Sequence, residues 1–143
     1  MLSKERQEEV VELCQHLIQK QSYSGHEDGV AGVLEEQLKK KGFDSVTVDK
    51  YGNVIGCIKG NRPGKKILFD GHIDTVPVTD ETEWQYPPFA AEIHDGKIYG
   101  RGTSDMKGAV AGFVTAAAAF AEDTKKDFAG EIYVAGVVHE ECF

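Results

Sequence analysis

The 143-residue sequence lacks the features that mark membrane-spanning, secreted or nucleic-acid-binding proteins. No apolar run approaches the roughly 20 residues that a membrane-spanning helix needs, and the first residues contain no apolar signal segment. The three cysteines form no C-x-x-C pair, which is typical of a reducing compartment. Sixteen Lys and Arg against 24 Asp and Glu give a net charge of −8, which repels nucleic acid and anionic membranes. We therefore expect a cytoplasmic protein that binds neither.

The composition does supply enough apolar residues for one hydrophobic core. Hydrophobic residues make up 41% of the chain and charged residues 28%, which excludes a disordered chain. A length of 143 residues falls within the roughly 100–200 that one domain usually has. Because no internal repeat or linker interrupts the sequence, we interpret residues 1–143 as a single unit.

Periodicity predicts alternating helices and strands. Apolar residues recur at helical spacing over 4–20. An S-x-x-E capping box at Ser24–Glu27 is expected to begin a second helix, with Val30, Val33, Leu34 and Leu38 inward and an end near Gly42. An Ala-rich helix is predicted over 106–122. Between these lie predicted strands at 46–48, 54–58, 67–69 and 132–138, a turn at 61–64, an extended loop at 75–90 and a hairpin at 91–99. This order predicts the α/β class, with a mixed, largely parallel sheet flanked by helices.

Three clusters of side chains able to bind metal follow strands or begin a helix. They are Asp70–Pro77 after the strand that is predicted to end at Phe69, Gly100–Gly108 at the head of the Ala-rich helix, and His139–Glu141 after the last strand. In open α/β sheets ligands bind beyond the carboxyl ends of the strands. We therefore expect the three clusters to meet at one edge of the sheet.

The spacing within each cluster allows specific roles. His72 and Asp74 are two residues apart, so in an extended segment the Asp74 carboxylate could accept the ring N–H of His72 while the other ring nitrogen binds a metal. Taken alone, this pair, an N-cap at Asp105 and a solvated Glu140–Glu141 pair are all ordinary structural features. Taken together, they form an imidazole and carboxylate set that suits Zn²⁺ or a similar ion.

The three motifs resemble the N-terminal signatures of one enzyme family. Gly71-His72-Ile73-Asp74-Thr75-Val76-Pro77, Gly100-Arg101-Gly102-Thr103-Ser104-Asp105-Met106-Lys107-Gly108 and His139-Glu140-Glu141 match that family in order and spacing. It is the family of dizinc metallohydrolases that includes acetylornithine deacetylase, succinyl-diaminopimelate desuccinylase, aminoacylase and carboxypeptidase G. The resemblance implies a zinc-exopeptidase-like catalytic domain, and it extends over essentially the whole sequence.

The resemblance also implies a role for each site residue. His72 would bind one metal, Glu141 would bind the second, and Asp105 would bridge the two, followed by a cis peptide bond. Asp74 would support His72, and Glu140 would be the general base that activates a metal-bound water. The implied cofactors are two divalent ions, with zinc first and cobalt or manganese as alternatives. The implied substrate is an N-acyl amino acid or a small peptide.

The sequence also departs from the family. Two roughly tetrahedral ions that share one carboxylate and one water need about five protein ligands, and the motifs offer three: His72, Asp105 and Glu141. Relatives are longer and supply a further acidic ligand, a late His and a lid domain that is often the dimer contact. We therefore expect residues 1–143 to be the N-terminal part of a catalytic domain, weakly active or inactive alone. The alternative is a non-catalytic binding or assembly module with the same fold.

Overall fold

The computed structural model describes residues 3–142. Met1, Leu2 and Phe143 lie outside the described residues, so the first two residues of the N-terminal segment, which the sequence predicts to contain no signal, are among those not described. Three helices are formed by α1 (Lys4–Ile18), α2 (Asp28–Lys40) and α3 (Gly108–Asp123). The strands are β1 (Ser45–Val48), β2 (Val54–Lys59), β3 (Arg62–His72), β4 (Glu92–His94), β5 (Lys97–Tyr99) and β6 (Ala129–Val137). Within residues 3–142, no helix combines the length and apolarity that crossing a bilayer requires.

The main sheet is mixed, with the strand order β1-β2-β6-β3, and β4 and β5 form a separate hairpin. The expected α/β class with a mixed sheet and flanking helices is confirmed. Its parallel share is smaller than expected, because only β3 and β6 pair in parallel, whereas β1 with β2 and β2 with β6 are antiparallel. The short connection between β1 and β2 permits only an antiparallel pair, whereas the hairpin and α3 provide the long crossover that joins β3 to β6.

The core lies between one face of this sheet and the helices. Side chains at alternate positions of β6 face α2 and α3: a Cβ at Gly136 would lie 2.4 Å from Leu34 in α2. Phe69 of β3, which pairs with Val134, stacks on Phe113 of α3. The predicted stripe of α1 is buried at Leu13, Cys14, Leu17 and Ile18, and α1 packs on both other helices.

Four sequence predictions about local structure are wrong in detail. Ser24 and Glu27 form no capping box, because the Ser24 hydroxyl donates to Asp74 and the Glu27 carboxylate accepts from Gly25 N and His139 N. The predicted turn at 61–64 is largely strand, since β3 begins at Arg62, and β3 extends to His72 rather than ending at Phe69. Helix α3 begins at Gly108, because the residues before it have non-helical backbone angles.

β3 forms one edge of the main sheet and exposes three consecutive apolar side chains. Ile67, Leu68 and Phe69 are 50%, 57% and 42% exposed. Beside them, between β3 and α3, runs an apolar groove that Phe113 and Phe120 also line. The candidate site lies elsewhere on this edge, at the carboxyl ends of β3 and β6.

Candidate metal centre

The structure brings together the three side chains that the resemblance implies as metal ligands. His72 is the last residue of β3, Glu141 follows β6, and Asp105 lies just before α3. One ligand atom from each lies within 4.8 Å of the others, and His72 Nε2 is 2.9 Å from Asp105 Oδ1. β3 and β6 are parallel neighbours, so their carboxyl ends lie at the same edge of the sheet. A single cation at this edge could contact all three groups.

His72 is buried and its ring is oriented by the backbone. Nδ1 lies 3.0 Å from the carbonyl oxygen of Asp74, whereas the nearest carboxylate oxygen of Asp74 is 3.5 Å away. The expected hydrogen bond to the carboxylate is therefore replaced by one to the carbonyl. A carbonyl oxygen only accepts, so Nδ1 carries a proton. In the protonated ring Nε2 donates to Asp105 Oδ1, and in the neutral ring the Nε2 lone pair is left for a cation.

The charges around His72 favour its protonated form. Burial lowers the pKa of His72, but the Asp105 carboxylate, the Asp74 carbonyl and the charges of Asp74 and Glu140 together raise it above its ordinary value of 6.5. A cation at this position would take the place of that proton, because a metal binds only the neutral ring.

The Asp74 carboxylate is fully buried and holds the third motif. It accepts hydrogen bonds from the Ser24 hydroxyl at 2.7 Å and from the backbone N–H groups of Glu140 and Glu141 at 3.2 and 3.0 Å. Burial raises the pKa of Asp74, but these hydrogen bonds outweigh it and leave the pKa below the ordinary 3.8. The carboxylate is directed to these three donors, and its nearest oxygen stays 3.5 Å from His72 Nδ1.

Glu140 lies at the site but outside the three-residue cluster. Its Oε2 is 3.8 Å from His72 Nε2, and 60% of its side chain is exposed. Glu141 instead belongs to the cluster with His72 and Asp105. Both adjacent glutamates therefore lie near His72, and the exposed Glu140 carboxylate is accessible to a proton on a nearby water or substrate.

The backbone around Asp105 departs from helical geometry. Gly102 has φ +81°, and the peptide bond from Asp105 to Met106 is cis, as the resemblance implied. The following Lys107 is fully buried, and its ammonium donates to the carbonyl oxygens of Leu17 and Lys20, both at 2.9 Å. Burial lowers the pKa of Lys107 to about 8. Lys107 thus ties the segment that carries Asp105 to the end of α1.

A cleft of about 470 Å³ borders the cluster. It is lined by Val76, by residues 100–105 of the second motif and by Glu141. Its volume falls in the roughly 300–1,000 Å³ range of small-molecule sites. The carboxylates of Asp74, Asp105, Glu140 and Glu141 all lie around His72, so the electrostatic character of the site suits a cation.

Among the residues that support this site, Glu27, Asn53 and Lys107 were not identified from the sequence. Glu27 was assigned to a helix cap, and the other two lie outside any recognised role. No short-range spacing reveals them, because their partners are 85 or more residues away along the chain.

The chain is similar to metal-dependent peptidases and related hydrolases, both in sequence and in structure. Residues 68–142 match the family model for peptidase family M20/M25/M40. The chain is 39% identical over 132 residues to succinyl-diaminopimelate desuccinylase of Beijerinckia indica, covering 87% of this chain and 34% of that protein. The curated relatives of this kind are about three times longer than the part this chain spans.

Solved structures resemble the fold over almost its whole length. The M20 family metallo-carboxypeptidase Sso-CP2 from Sulfolobus solfataricus matches with a TM-score of 0.80 and 26% identity, covering 97% of this chain and 32% of that one. The Bacillus subtilis YXEP protein, described as a dinuclear metal-binding peptidase, matches with a TM-score of 0.71 and 19% identity, covering 97% and 37%.

Proposed function

Because this chain belongs to peptidase family M20/M25/M40, we propose that it forms the N-terminal, metal-binding part of a hydrolase that cleaves amide bonds. The observation that carries the proposal is the convergence of His72, Asp105 and Glu141 within 4.8 Å. These groups come from three distant parts of the sequence, and their nitrogen and oxygen donors suit zinc. The name of the desuccinylase relative and the description of the carboxypeptidase both fit amide cleavage.

The proposed metal ligands are the same three residues. His72 would hold one ion, Glu141 would hold the second, and Asp105 would be shared between them; zinc is the proposed metal, with cobalt and manganese as alternatives. Two such ions, when bound, supply Lewis acidity that polarises a carbonyl and acidifies a water. The description of the YXEP protein as dinuclear is consistent with this assignment. Two ions need about five protein ligands, so this set of three is incomplete for two ions.

Within the chain, Glu140 is the proposed general base. Its exposed carboxylate lies 3.8 Å from His72 Nε2, on the accessible side of the cluster. There it takes a proton from the attacking water and passes it to the leaving amine, as general acid–base catalysis requires. Asp74 holds the backbone of the loop that carries Glu140 and orients His72 through its carbonyl.

The proposed substrate is an N-acyl amino acid or a small peptide bound in the adjacent cleft. A cleft of about 470 Å³ accommodates a ligand of that size.

The test is titration of the 143-residue chain with Zn²⁺ by calorimetry, comparing wild type with His72→Ala. We expect weak binding by wild type and at least about a tenfold weaker affinity for His72→Ala, since even residues behind the ligands cost about 10–100-fold. His16→Ala is the matched control, because His16 lies on α1 with 42% of its side chain exposed and its ring beside Glu12, outside the three-residue cluster. No hydrolysis of N-succinyl or N-acetyl amino acids by the chain alone is expected.

Two results would contradict these assignments. Equal zinc affinity in wild type and His72→Ala would remove His72 as a ligand and favour the non-catalytic module. Tight binding of two ions with turnover would instead show that the 143 residues are sufficient for catalysis.

A further inference from the structure

The loop that carries Glu140 and Glu141 is held by side chains rather than by a neighbouring strand. Four consecutive backbone N–H groups, beginning at the end of β6, each donate to a side-chain oxygen from a distant part of the chain. The bonds are Val138 N to Asn53 Oδ1 at 2.9 Å, His139 N to Glu27 Oε1 at 3.2 Å, Glu140 N to Asp74 Oδ1 at 3.2 Å and Glu141 N to Asp74 Oδ2 at 3.0 Å.

This arrangement replaces the sheet ladder where β6 ends. Backbone N–H groups need acceptors, and beyond Val137 the loop leaves the strand. His139 has φ +62°, a left-handed conformation that turns the chain sharply. A non-glycine residue is held in that region only where its surroundings fix it. The conformation of the loop therefore depends on its side-chain acceptors.

Glu27 is buried, with only 6% of its surface exposed. Its Oε1 accepts from Gly25 N at 3.0 Å and from His139 N at 3.2 Å, and within residues 3–142 it forms no ion pair. A buried carboxylate is costly unless its oxygens are hydrogen-bonded. Here the carboxylate is satisfied by backbone N–H groups, one of which belongs to the residue before Glu140.

Asn53 is itself held in one orientation. Its side-chain N–H donates to Asp49 Oδ2 at 2.8 Å, and its backbone N–H donates to Asp49 Oδ1 at 3.0 Å. Because Asp49 takes the donor end of the amide, the Asn53 oxygen is directed to Val138 N. The first amide of the loop thus has an acceptor oriented in advance.

We propose that Glu27 and Asn53 are positioning residues, which direct Glu140 and Glu141 toward His72 and Asp105 through the backbone of residues 138–141. Neither side chain belongs to the three-residue cluster. The link to metal binding rests on the function proposed above, whereas the positioning of the loop stands on the hydrogen bonds alone.

Charge and hydrogen bonding predict different outcomes for Glu27. If the carboxylate acts as a hydrogen-bond acceptor, the amide oxygen of Glu27→Gln should still accept from His139 N and hold the loop, whereas Glu27→Leu should release the loop. If it acts only as a negative charge near a cation, both variants should be equally impaired. Asn53→Ala tests the other acceptor in case Glu27→Leu fails to fold. Asn61→Ala is the control, because its side-chain bond to Asp127 is exposed and lies at the far end of β3.

The experiment measures backbone amide hydrogen exchange by NMR and Zn²⁺ affinity by calorimetry on the same folded variants. For Glu27→Leu we expect faster exchange at residues 138–141 and about tenfold weaker zinc binding. Asn53→Ala should change both quantities in the same direction. Glu27→Gln and Asn61→Ala should keep both quantities within about twofold of wild type. A purely structural role would lower the melting temperature without changing the zinc affinity of the folded protein.

Two outcomes would overturn the proposal. One is unchanged exchange and affinity in folded Glu27→Leu or Asn53→Ala, and the other is a loss in Glu27→Gln as large as that in Glu27→Leu. If wild type binds no zinc, the proposed metal function fails, and the exchange of residues 138–141 still decides whether Glu27 and Asn53 position the loop.

Discussion

Asp74 is a single buried residue that links two of the three motifs. Its backbone carbonyl orients His72, and its carboxylate accepts from Ser24 and from two consecutive N–H groups of the third motif. Carboxylate oxygens have enough lone pairs for all of these donors, whereas an amide offers one acceptor oxygen. The identity of this residue therefore matters for structure as well as for the proposed chemistry.

We predict that Asp74→Asn is less stable than wild type by about 1–3 kcal/mol at pH 7, because one loop N–H then faces an amide NH₂ group. The pKa of Asp74 lies below 3.8 in the folded protein, so its ionised form contributes stability above that pH, and the contribution is lost as pH falls through the folded pKa. The difference between the two proteins should therefore narrow below about pH 4.

Urea unfolding at pH 7 and at low pH measures this difference. Asp80→Asn is the control, because Asp80 is exposed and caps a short turn for which Asn is an equally good cap. A difference between wild type and Asp74→Asn that stays constant as pH falls would contradict the account.

At the scale of elements, the close approach of β6 to α2 depends on a glycine. A Cβ at Gly136 would lie 2.4 Å from Leu34 Cδ2 and 3.0 Å from Ile73 Cγ2, and both neighbours are fully buried core residues. Gly112 in α3 differs, because a Cβ there would meet nothing within 4 Å. The two glycines therefore separate a packing requirement from a helix-propensity cost.

We predict that Gly136→Ala destabilises the protein by about 1–3 kcal/mol through overpacking. Gly112→Ala should stabilise it by about 0.5–1 kcal/mol, because alanine favours a helix interior over glycine. Equilibrium denaturation of the two variants beside wild type checks both signs. A neutral Gly136→Ala would mean that α2 can withdraw from β6 at no cost.

At the scale of the whole molecule, the two edge strands of the main sheet differ in how much apolar surface they expose. β3 spans 11 residues at one edge and exposes Ile67, Leu68 and Phe69, whereas β1 at the other edge spans four residues. A long apolar edge strand offers unpaired backbone groups to another chain.

We predict that the 143-residue chain associates with further copies of itself at high concentration, through β3. Leu68→Lys should reduce this association, since a charge on an edge strand disfavours pairing. Val11→Lys on α1 is the control, because Val11 is apolar and exposed but lies outside the sheet. Static light scattering over a concentration series measures the effect, and a strictly monomeric wild type would contradict it.

Sequence reasoning was most successful where the signal is local. Asp95-Gly96 predicts the hairpin of β4 and β5, and helical spacing predicts the buried stripe of α1, because turn conformation and helix periodicity depend on residues a few positions apart. It failed at Ser24 and Glu27, where a capping pattern was present but distant partners took both side chains.

The candidate site likewise has features that the sequence predicts and features that depend on contacts between distant residues. Residue types and spacing by themselves determined the α/β class and predicted that the three clusters meet at one edge of the sheet, and the family resemblance of the motifs singled out His72, Asp105 and Glu141 as the ligand set. Only the tertiary structure decided that the Asp74 carboxylate serves the loop rather than the His72 ring, that Glu27 and Asn53 are acceptors for residues 138–139, and that Lys107 is buried against α1. These contacts join residues 60 or more positions apart, and which donors and acceptors meet is settled only when the helices and strands pack together.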